Sequence, residues 1–153
     1  MKKVLATLSI VIFASAALFA QEPLRKKHFN LEKGIAIQGY DPVVYFTKNK
    51  ATEGKKELAA VYQGVTYCFS STENKELFKS NPSRYEPEYG GWCAYAMGAK
   101  GEKVEIDPET FKVVNGKLYL FYNKFFNNTL KAWNKDENNL HTKADVNWIK
   151  TFR

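Results

Sequence analysis

The chain has 153 residues, with 23 Lys and Arg against 16 Asp and Glu and a formal net charge of +7. This length suits one domain with its own core. The basic residues are scattered among acidic ones and form no nucleic-acid motif, so nucleic-acid binding is not expected. We interpret the charge as favouring solubility and affinity for anionic surfaces.

The first twenty residues, "MKKVLATLSIVIFASAALFA", carry lysines, then an apolar run, then small residues. This order predicts a secretory signal peptide over residues 1–20, cleaved near Ala20. No later segment is apolar over the about 18 residues that a bilayer requires, so no transmembrane segment should remain. We therefore expect a periplasmic or secreted protein, with a loose polar lead-in over residues 21–33 and one domain over residues 34–153.

The stretch "ELAAVYQGVTYCFSS" predicts a β-hairpin that turns at Gln63 and Gly64. A two-residue turn places three apolar pairs on one face of this hairpin: Tyr62 with Val65, Ala60 with Tyr67, and Leu58 with Phe69. Cys68 points to the other face, which is either covered by a second layer or partly exposed.

A helix is predicted directly after the hairpin, because Ser70 lies three residues before Glu73, the spacing of a capping box. Over "TENKELFKS" this helix should turn Leu77 and Phe78 inward. Asn81 followed by proline predicts its end and a further short turn.

The next stretch, "YGGWCAYAMG", is compatible with a short helix that Gly98 ends. The strongest local signal follows in "FKVVNGKLYLFY", where Asn115 and Gly116 form the favoured pair for a type I′ hairpin turn. One face of this second hairpin is apolar, and its members are Phe111, Val113, Leu118, Leu120 and Tyr122.

Two helices are predicted at the end of the chain. The first is capped by Asn123 and aligns Phe126, Leu130 and Trp133. The second, "ENNLHTKADVNWIK", aligns Leu140, Ala144 and Trp148 on one side. The expected fold is α+β: a small antiparallel sheet built from two β-hairpins, covered by short helices and by these two C-terminal helices.

Several ordered motifs resemble the YHS domain family, and within it the exported bacterial subfamily of stand-alone domains, some of whose members are named as selenoproteins. The motifs are "GYDPVVYF", "YQGVTYCFSSTENKELFKSNPSRYEPEYGGWCAYAMG", "VVNGKLYLFYN" and "KADVNW". The resemblance runs from Gly34 to Trp148. It implies a binding domain for a metal ion, with copper or another transition metal as the cofactor, or for a metal-containing or planar ligand.

This resemblance implies three cysteine positions, because the metal-type members of the wider family carry cysteines there. Here those positions hold Val44, Ser70 and Asn74, so the thiolate cluster is missing at all three. Soft metals prefer thiolate and imidazole ligands. The remaining metal-ligand candidates are Cys93 and Cys68.

Cys93 keeps three interpretations open. It is a small buried hydrophobic residue, a working thiol or metal ligand, or one half of a bridge to Cys68. A helix that starts at Cys93 would place amide donors near the thiol and lower its pKa. His28 and His141 form no ligand pattern and are expected at the surface.

Aromatic residues around Cys93 suggest a cleft for a planar or apolar ligand. The ligand-binding candidates are Cys93, Trp92, Tyr95, Tyr89 and Tyr67. The chain carries no nucleophile elbow, phosphate loop or dinucleotide fingerprint, and its Asp-Pro pairs are typical of caps and turns. We therefore expect a binding module that is not an enzyme, with a thiol-dependent redox protein using Cys93 as the alternative, and no particular protein partner is indicated.

Overall fold

The computed structural model describes residues 22–151, so the predicted signal peptide lies outside the described residues. The fold is α+β, as predicted, with short antiparallel hairpins, short helices and two helices at the C-terminal end. Among the residues described, no helix is both long and apolar enough to cross a membrane.

The segment predicted as a loose lead-in is instead ordered and packed, which corrects that expectation. Residues 22–28 are helical (α1), and β1 (Leu31–Glu32) and β2 (Ile35–Ala36) follow. The Arg25 guanidinium pairs with the Glu86 carboxylate and lies 4.3 Å from the Phe29 ring centroid. The Asn30 side chain donates to the Gly91 carbonyl at 3.1 Å. The sequence of this polar segment does not indicate these long-range partners, which lie 61 residues further along the chain.

The first hairpin consists of β3 (Lys55–Tyr62) and β4 (Val65–Phe69), in a sheet of order β1-β2-β4-β3. Strand β2 runs parallel to β4, and the other neighbours are antiparallel. The predicted pairs Tyr62–Val65 and Ala60–Tyr67 form, whereas an irregularity in β3 sets Lys55 opposite Phe69 in place of Leu58. A β-bulge shifts the register in this way.

Two helices pack against this sheet, α2 (Pro42–Lys48) and α3 (Thr72–Ser80), and the short α4 (Pro82–Tyr85) packs against both of them. The cap of α3 is Ser71, whose hydroxyl accepts from the Asn74 amide, and not the predicted Ser70. Phe78 is buried as predicted, but Leu77 is 38% exposed, because the helix turns only one of these adjacent residues toward the sheet.

The second hairpin, β5 (Asp107–Val114) and β6 (Lys117–Phe121), turns at Asn115 and Gly116 as predicted. It forms a sheet of its own, so the two hairpins do not share one sheet. Leu118 and Leu120 lie in the core of the first sheet, while Tyr119 and Phe121 lie in a second core under the C-terminal helices. Strand β6 is thus buried on both faces.

Helix α5 (Ala94–Lys100) packs against α7 (Glu137–Thr151) across the second core. It continues past Gly98, the predicted end, and stops at Gly101 in the left-handed region. A β-carbon at Gly98 would collide with the backbone carbonyl of Leu140. Gly98 therefore permits a close approach of helices where the sequence suggested a terminus.

The helix predicted from Asn123 begins later. Residues Asn123–Lys124 (β7) and Asn127–Asn128 (β8) form a small hairpin, and α6 (Thr129–Trp133) starts after it. Asn128 caps α6 by accepting from the Leu130 amide at 3.1 Å. Phe126 consequently lies in a turn and not on the helix, while Trp133 is buried as predicted.

Candidate functional site

The pocket next to Cys93, called here the Cys93 pocket, has a volume of about 370 Å³. It lies between α5, the chain that follows α5, Tyr122 at the end of β6, and the start of α6. Its walls are mostly apolar and its rim is charged. The lining residues are Cys93, Tyr95, Ala96, Ala99, Lys100, Glu102, Val104, Tyr122, Asn127 and Thr129.

The backbone holds Cys93 between the two sheets. The Cys93 N–H donates to the Val104 carbonyl at 3.0 Å, and the Cys93 backbone forms an isolated parallel β-bridge with Leu120 of β6. Gly90 and Gly91 precede it with φ of 60° and 82°, a conformation that glycine adopts without strain. The glycines of "YGGWC" therefore steer the chain into the start of α5, with Cys93 as its N-cap residue.

The thiol of Cys93 has hydrogen-bond partners in both directions. The Tyr122 N–H donates to Sγ at 3.4 Å, and Thr129 Oγ1 lies 3.4 Å from Sγ. The single proton of the Thr129 hydroxyl donates to the Tyr122 carbonyl at 2.9 Å. Toward the neutral thiol this hydroxyl is therefore the acceptor, so the S–H donates to it.

The sulfur borders the pocket although the Cys93 side chain is itself fully buried. Its side chain makes no hydrogen bond to the amides at the start of α5. The Cys93 sulfur is held by hydrogen bonds and borders the pocket, which Tyr95 and Tyr122 also line.

Of the five ligand-binding candidates, the structure brings Cys93 and Tyr95 together in this pocket. Trp92 points elsewhere, because its indole N–H donates to the His28 carbonyl at 2.7 Å. Tyr89 lies in the second core, and Tyr67 in the first. The structure therefore does not bring the five candidates into one cleft, because neighbouring positions in "EYGGWCAY" lie in different layers.

The two buried tyrosines act as structural anchors. The Tyr89 hydroxyl donates to Asp145 at 2.9 Å, and the Tyr67 hydroxyl bonds to Glu86. Burial, followed by these carboxylates, raises the pKa of both phenols well above the usual range, so both stay protonated donors.

Cys68 lines a different, more polar pocket of about 270 Å³ beside β2 and β4. Burial raises the pKa of its thiol, partly offset by the Lys56 ammonium. Both cysteines are free thiols, so the bridge that the sequence left open is not formed. Cys68 and Cys93, the two metal-ligand candidates, line separate pockets, so the structure does not bring them together.

Histidine and carboxylate ligands do not complete a metal site either. Within residues 22–151, no group of three or more His, Cys, Asp or Glu is placed to hold a metal ion. His141 is half-buried, and its Nε2 lies 2.9 Å from the Tyr119 hydroxyl. His28 lies 3.0 Å from the Lys103 ammonium, and burial followed by that charge lowers its pKa.

The buried Asp41 carboxylate contacts Ser70 and Asn74. Asp41 is fully buried, and its Oδ2 accepts from the Ser70 amide, the Ser70 hydroxyl and the Asn74 side chain, each at 2.7 Å. Its Oδ1 accepts from the Val43 amide at 2.9 Å and so caps α2. The predicted capping role of Asp41 is thus present, while its links to Ser70 and Asn74 were not apparent from sequence spacing.

Sequence reasoning missed Tyr122 and Thr129, the two residues that contact the Cys93 sulfur. They lie 29 and 36 residues further along the chain. Tyr122 was assigned only to an apolar hairpin face, and Thr129 to a predicted helix.

Comparisons of the chain with protein-family models, with curated proteins and with solved structures find no match. The resemblance to YHS domains therefore stays a prediction from the quoted motifs.

Proposed function

We propose that this protein is an exported binding domain of the YHS type that holds a small planar or apolar molecule in the Cys93 pocket and catalyses no reaction. The pocket carries this proposal. Its volume of about 370 Å³ falls in the range of small-molecule sites, about 300–1,000 Å³. Apolar walls with a few polar groups are typical of such sites.

The chemistry of the lining favours an aromatic anion. Tyr95, Val104 and Tyr122 offer ring faces and an aliphatic wall, while Lys100 contributes an ammonium group at the rim. A flat apolar body would lie against the rings, and an acidic substituent would face Lys100. Glu102 on the same rim would disfavour a second acidic group.

The contact of Asp41 with Ser70 and Asn74 supports the resemblance to YHS domains. These two positions correspond to cysteines of the metal-type members, and here they meet around one carboxylate. The carboxylate already accepts four hydrogen bonds. This supports a domain that retains the shape of the family and uses another place for its ligand.

A metal-bound version of the function would rest on Cys93. One thiolate supplies one ligand, whereas structural sites for soft metals use about four. We therefore favour the organic ligand over copper or zinc.

The test uses 1-anilinonaphthalene-8-sulfonate, an aromatic anion that fluoresces in apolar surroundings. We expect saturable binding with one site per chain. Ala99→Trp should weaken this binding about tenfold or more, because Ala99 is an exposed residue of the pocket wall and the indole would fill the space. Lys143→Trp, on the exposed side of α7, is the matched control and should bind like the parent.

Equal binding by Ala99→Trp and the parent would contradict the pocket assignment. Equilibrium dialysis against Cu(I), Cu(II), Zn(II) and haem completes the test. Retention of one metal ion per chain that disappears in Cys93→Ala would replace the organic ligand by a metal.

The alternative is a thiol-dependent redox protein that uses Cys93. One observation favours it: a thiolate at this position could accept from both the Tyr122 amide and the Thr129 hydroxyl. The Tyr122 carbonyl would still keep the Thr129 amide as a donor, at 3.0 Å. The rate of alkylation by iodoacetamide as a function of pH separates the two functions. Fast alkylation of Cys93 in the folded protein at neutral pH supports the redox function, and slow alkylation supports the binding function.

A further inference from the structure

The turn between β7 and β8, called here the Phe125–Phe126 tip, exposes two adjacent aromatic rings. Phe125 and Phe126 have relative exposures of 89% and 110%, the highest among the exposed large apolar residues that the structure describes. Phenylalanine is among the residues most often buried. Single exposed apolar residues are ordinary, but two adjacent rings on a projecting turn indicate an interaction surface.

The backbone of this tip is unfavourable for phenylalanine. Phe125 and Phe126 have φ of 53° and 63°, in the left-handed region that bulky residues rarely adopt. Strained backbone conformations of this kind cluster at functional sites.

The other hairpins of the described chain provide an internal comparison. Three of them also connect their strands by two residues with positive φ, and each has glycine second: Lys33-Gly34, Gln63-Gly64 and Asn115-Gly116. The Phe125–Phe126 tip alone among these four turns has no glycine. Its sequence therefore does not follow the requirements of the turn.

The charge around the tip is of one sign along the chain. From Tyr122 to Lys135 the sequence carries three lysines and no carboxylate, and all three lysines are exposed. Lys124 directly precedes the tip, and Lys131 lies on α6 after it. At the base of the hairpin, the Asp107 carboxylate is bonded to Thr110 and Asn123.

We propose that the Phe125–Phe126 tip docks the protein onto a lipid bilayer with anionic headgroups. The two rings enter the interfacial region, and the lysines lie over the negatively charged surface. The net charge of +7, of which Lys2 and Lys3 of the predicted signal peptide contribute two, attracts the protein to such a surface at longer range.

The shape of the tip favours lipid over a protein partner. Two phenylalanine side chains offer about 300–500 Å² in total, whereas a stable protein interface buries about 800 Å² on each side. Lipid can surround a convex tip from all directions, which a preformed protein surface does not do.

The test measures co-sedimentation of the full chain with vesicles of phosphatidylcholine alone and with about 30% phosphatidylglycerol added. We expect binding to the anionic vesicles that weakens as salt is raised. The double variant Phe125→Asn with Phe126→Gly places the favoured type I′ pair in the turn, so the hairpin should fold at least as well. Its partition onto vesicles should fall about tenfold or more, because both rings are gone.

Val61→Asn is the matched control, because Val61 is another exposed apolar residue, 69% exposed, and lies on β3 of the four-stranded sheet. This variant should bind vesicles like the parent. Lys124→Glu should weaken binding several-fold while leaving both rings in place. If the double variant does not fold, Phe126→Gly alone serves as the second variant, with weaker binding expected.

Three outcomes overturn the proposal. The parent shows no preference for anionic vesicles, the folded double variant binds them like the parent, or Val61→Asn loses binding to the same extent. Sedimentation velocity adds one more: a parent dimer that dissociates in the double variant, with vesicle binding unchanged, would assign the tip to a second copy of this chain.

Discussion

The Thr129 hydroxyl lies 3.4 Å from the Cys93 sulfur and donates its own proton to the Tyr122 carbonyl at 2.9 Å. One side chain thus links the start of α5, the end of β6 and the start of α6. The Cys93 pocket is closed on this side by hydrogen bonds, and the sulfur is fixed within them.

Thr129→Val tests this link. Valine keeps the shape but removes the acceptor for the buried S–H, so we expect the free energy of unfolding to fall by about 1–2 kcal/mol in urea titrations. Thr129→Ser keeps the hydroxyl and should recover most of the loss. Equal stability of the Val and Ser variants would show that the hydroxyl contributes nothing beyond its volume.

Asp41→Asn tests the buried carboxylate. Both oxygens of Asp41 accept hydrogen bonds, whereas the amide of Asn has only one oxygen. Its NH₂ group would therefore point hydrogens at a donor, on the side of Val43 or on the side of Ser70 and Asn74. We expect a loss of about 3 kcal/mol or more in the free energy of unfolding, because charged hydrogen bonds are replaced by a mismatch. Asn74→Ala removes one donor only and should cost less, which an equally large loss would contradict.

Gly98→Ala tests the close approach of α5 and α7. The added methyl group meets the Leu140 carbonyl, and a backbone atom cannot rotate away. We expect a loss of about 1–3 kcal/mol by thermal or urea unfolding, although alanine has the higher helix propensity. Ala99→Ser, the next residue on the exposed side of the same helix, should change stability little, and a gain in stability for Gly98→Ala would refute the packing.

Glu137 predicts a pH dependence. The hydrogen bond from Lys112 lowers the pKa of the Glu137 carboxyl below its ordinary value of 4.5, although burial partly offsets this by raising it. The folded state therefore prefers the carboxylate, and this stability is present above about pH 4.5 and lost as the pH falls through the lower folded-state pKa.

The measurement compares unfolding free energies at neutral and acidic pH. Glu137→Gln should reduce the loss between the two by about 0.5–1 kcal/mol, the size of a partly exposed pair. Glu76→Gln removes the carboxylate partner of Lys79 in a more exposed pair, so it should change the loss of unfolding free energy between the two pH values less. No difference between Glu137→Gln and the parent would show that the pair forms without stabilising the fold.

The two thiols predict a count. Titration with Ellman's reagent should find two free thiols per unfolded chain without reductant, because both cysteines are free. In the folded protein both should react slowly, since Cys68 and Cys93 are buried. A count of zero in the unfolded chain would mean that the cysteines are joined after all.

The hairpins were predictable because their turn residues carry the signal. Gly64, Asn115 and Gly116 adopt the positive φ that glycine and asparagine allow, and strand alternation then sets the first cross-strand pairs. The hairpin at Phe125 was missed, because the turn lacks glycine and Phe126, Leu130 and Trp133 follow helical spacing.

The site was only half predictable for a related reason. Cys93 and Tyr95 are close in sequence and share the pocket, but Thr129 reaches the sulfur through tertiary packing. The grouping of Tyr89 and Trp92 with Cys93 failed, since positive φ at Tyr89 and Gly90 turns neighbouring side chains in different directions. Local spacing does not contain these turns.

Strand β6 alternates between the two cores, with Leu118 and Leu120 in one and Tyr119 and Phe121 in the other. If either core unfolds alone, the side chains of β6 that belong to that core become exposed to solvent. Partial opening of this strand costs nearly as much as complete unfolding, so its amide protons should be among the slowest to exchange with deuterium. A proteolytic fragment that ends before this strand would lack a wall for either core.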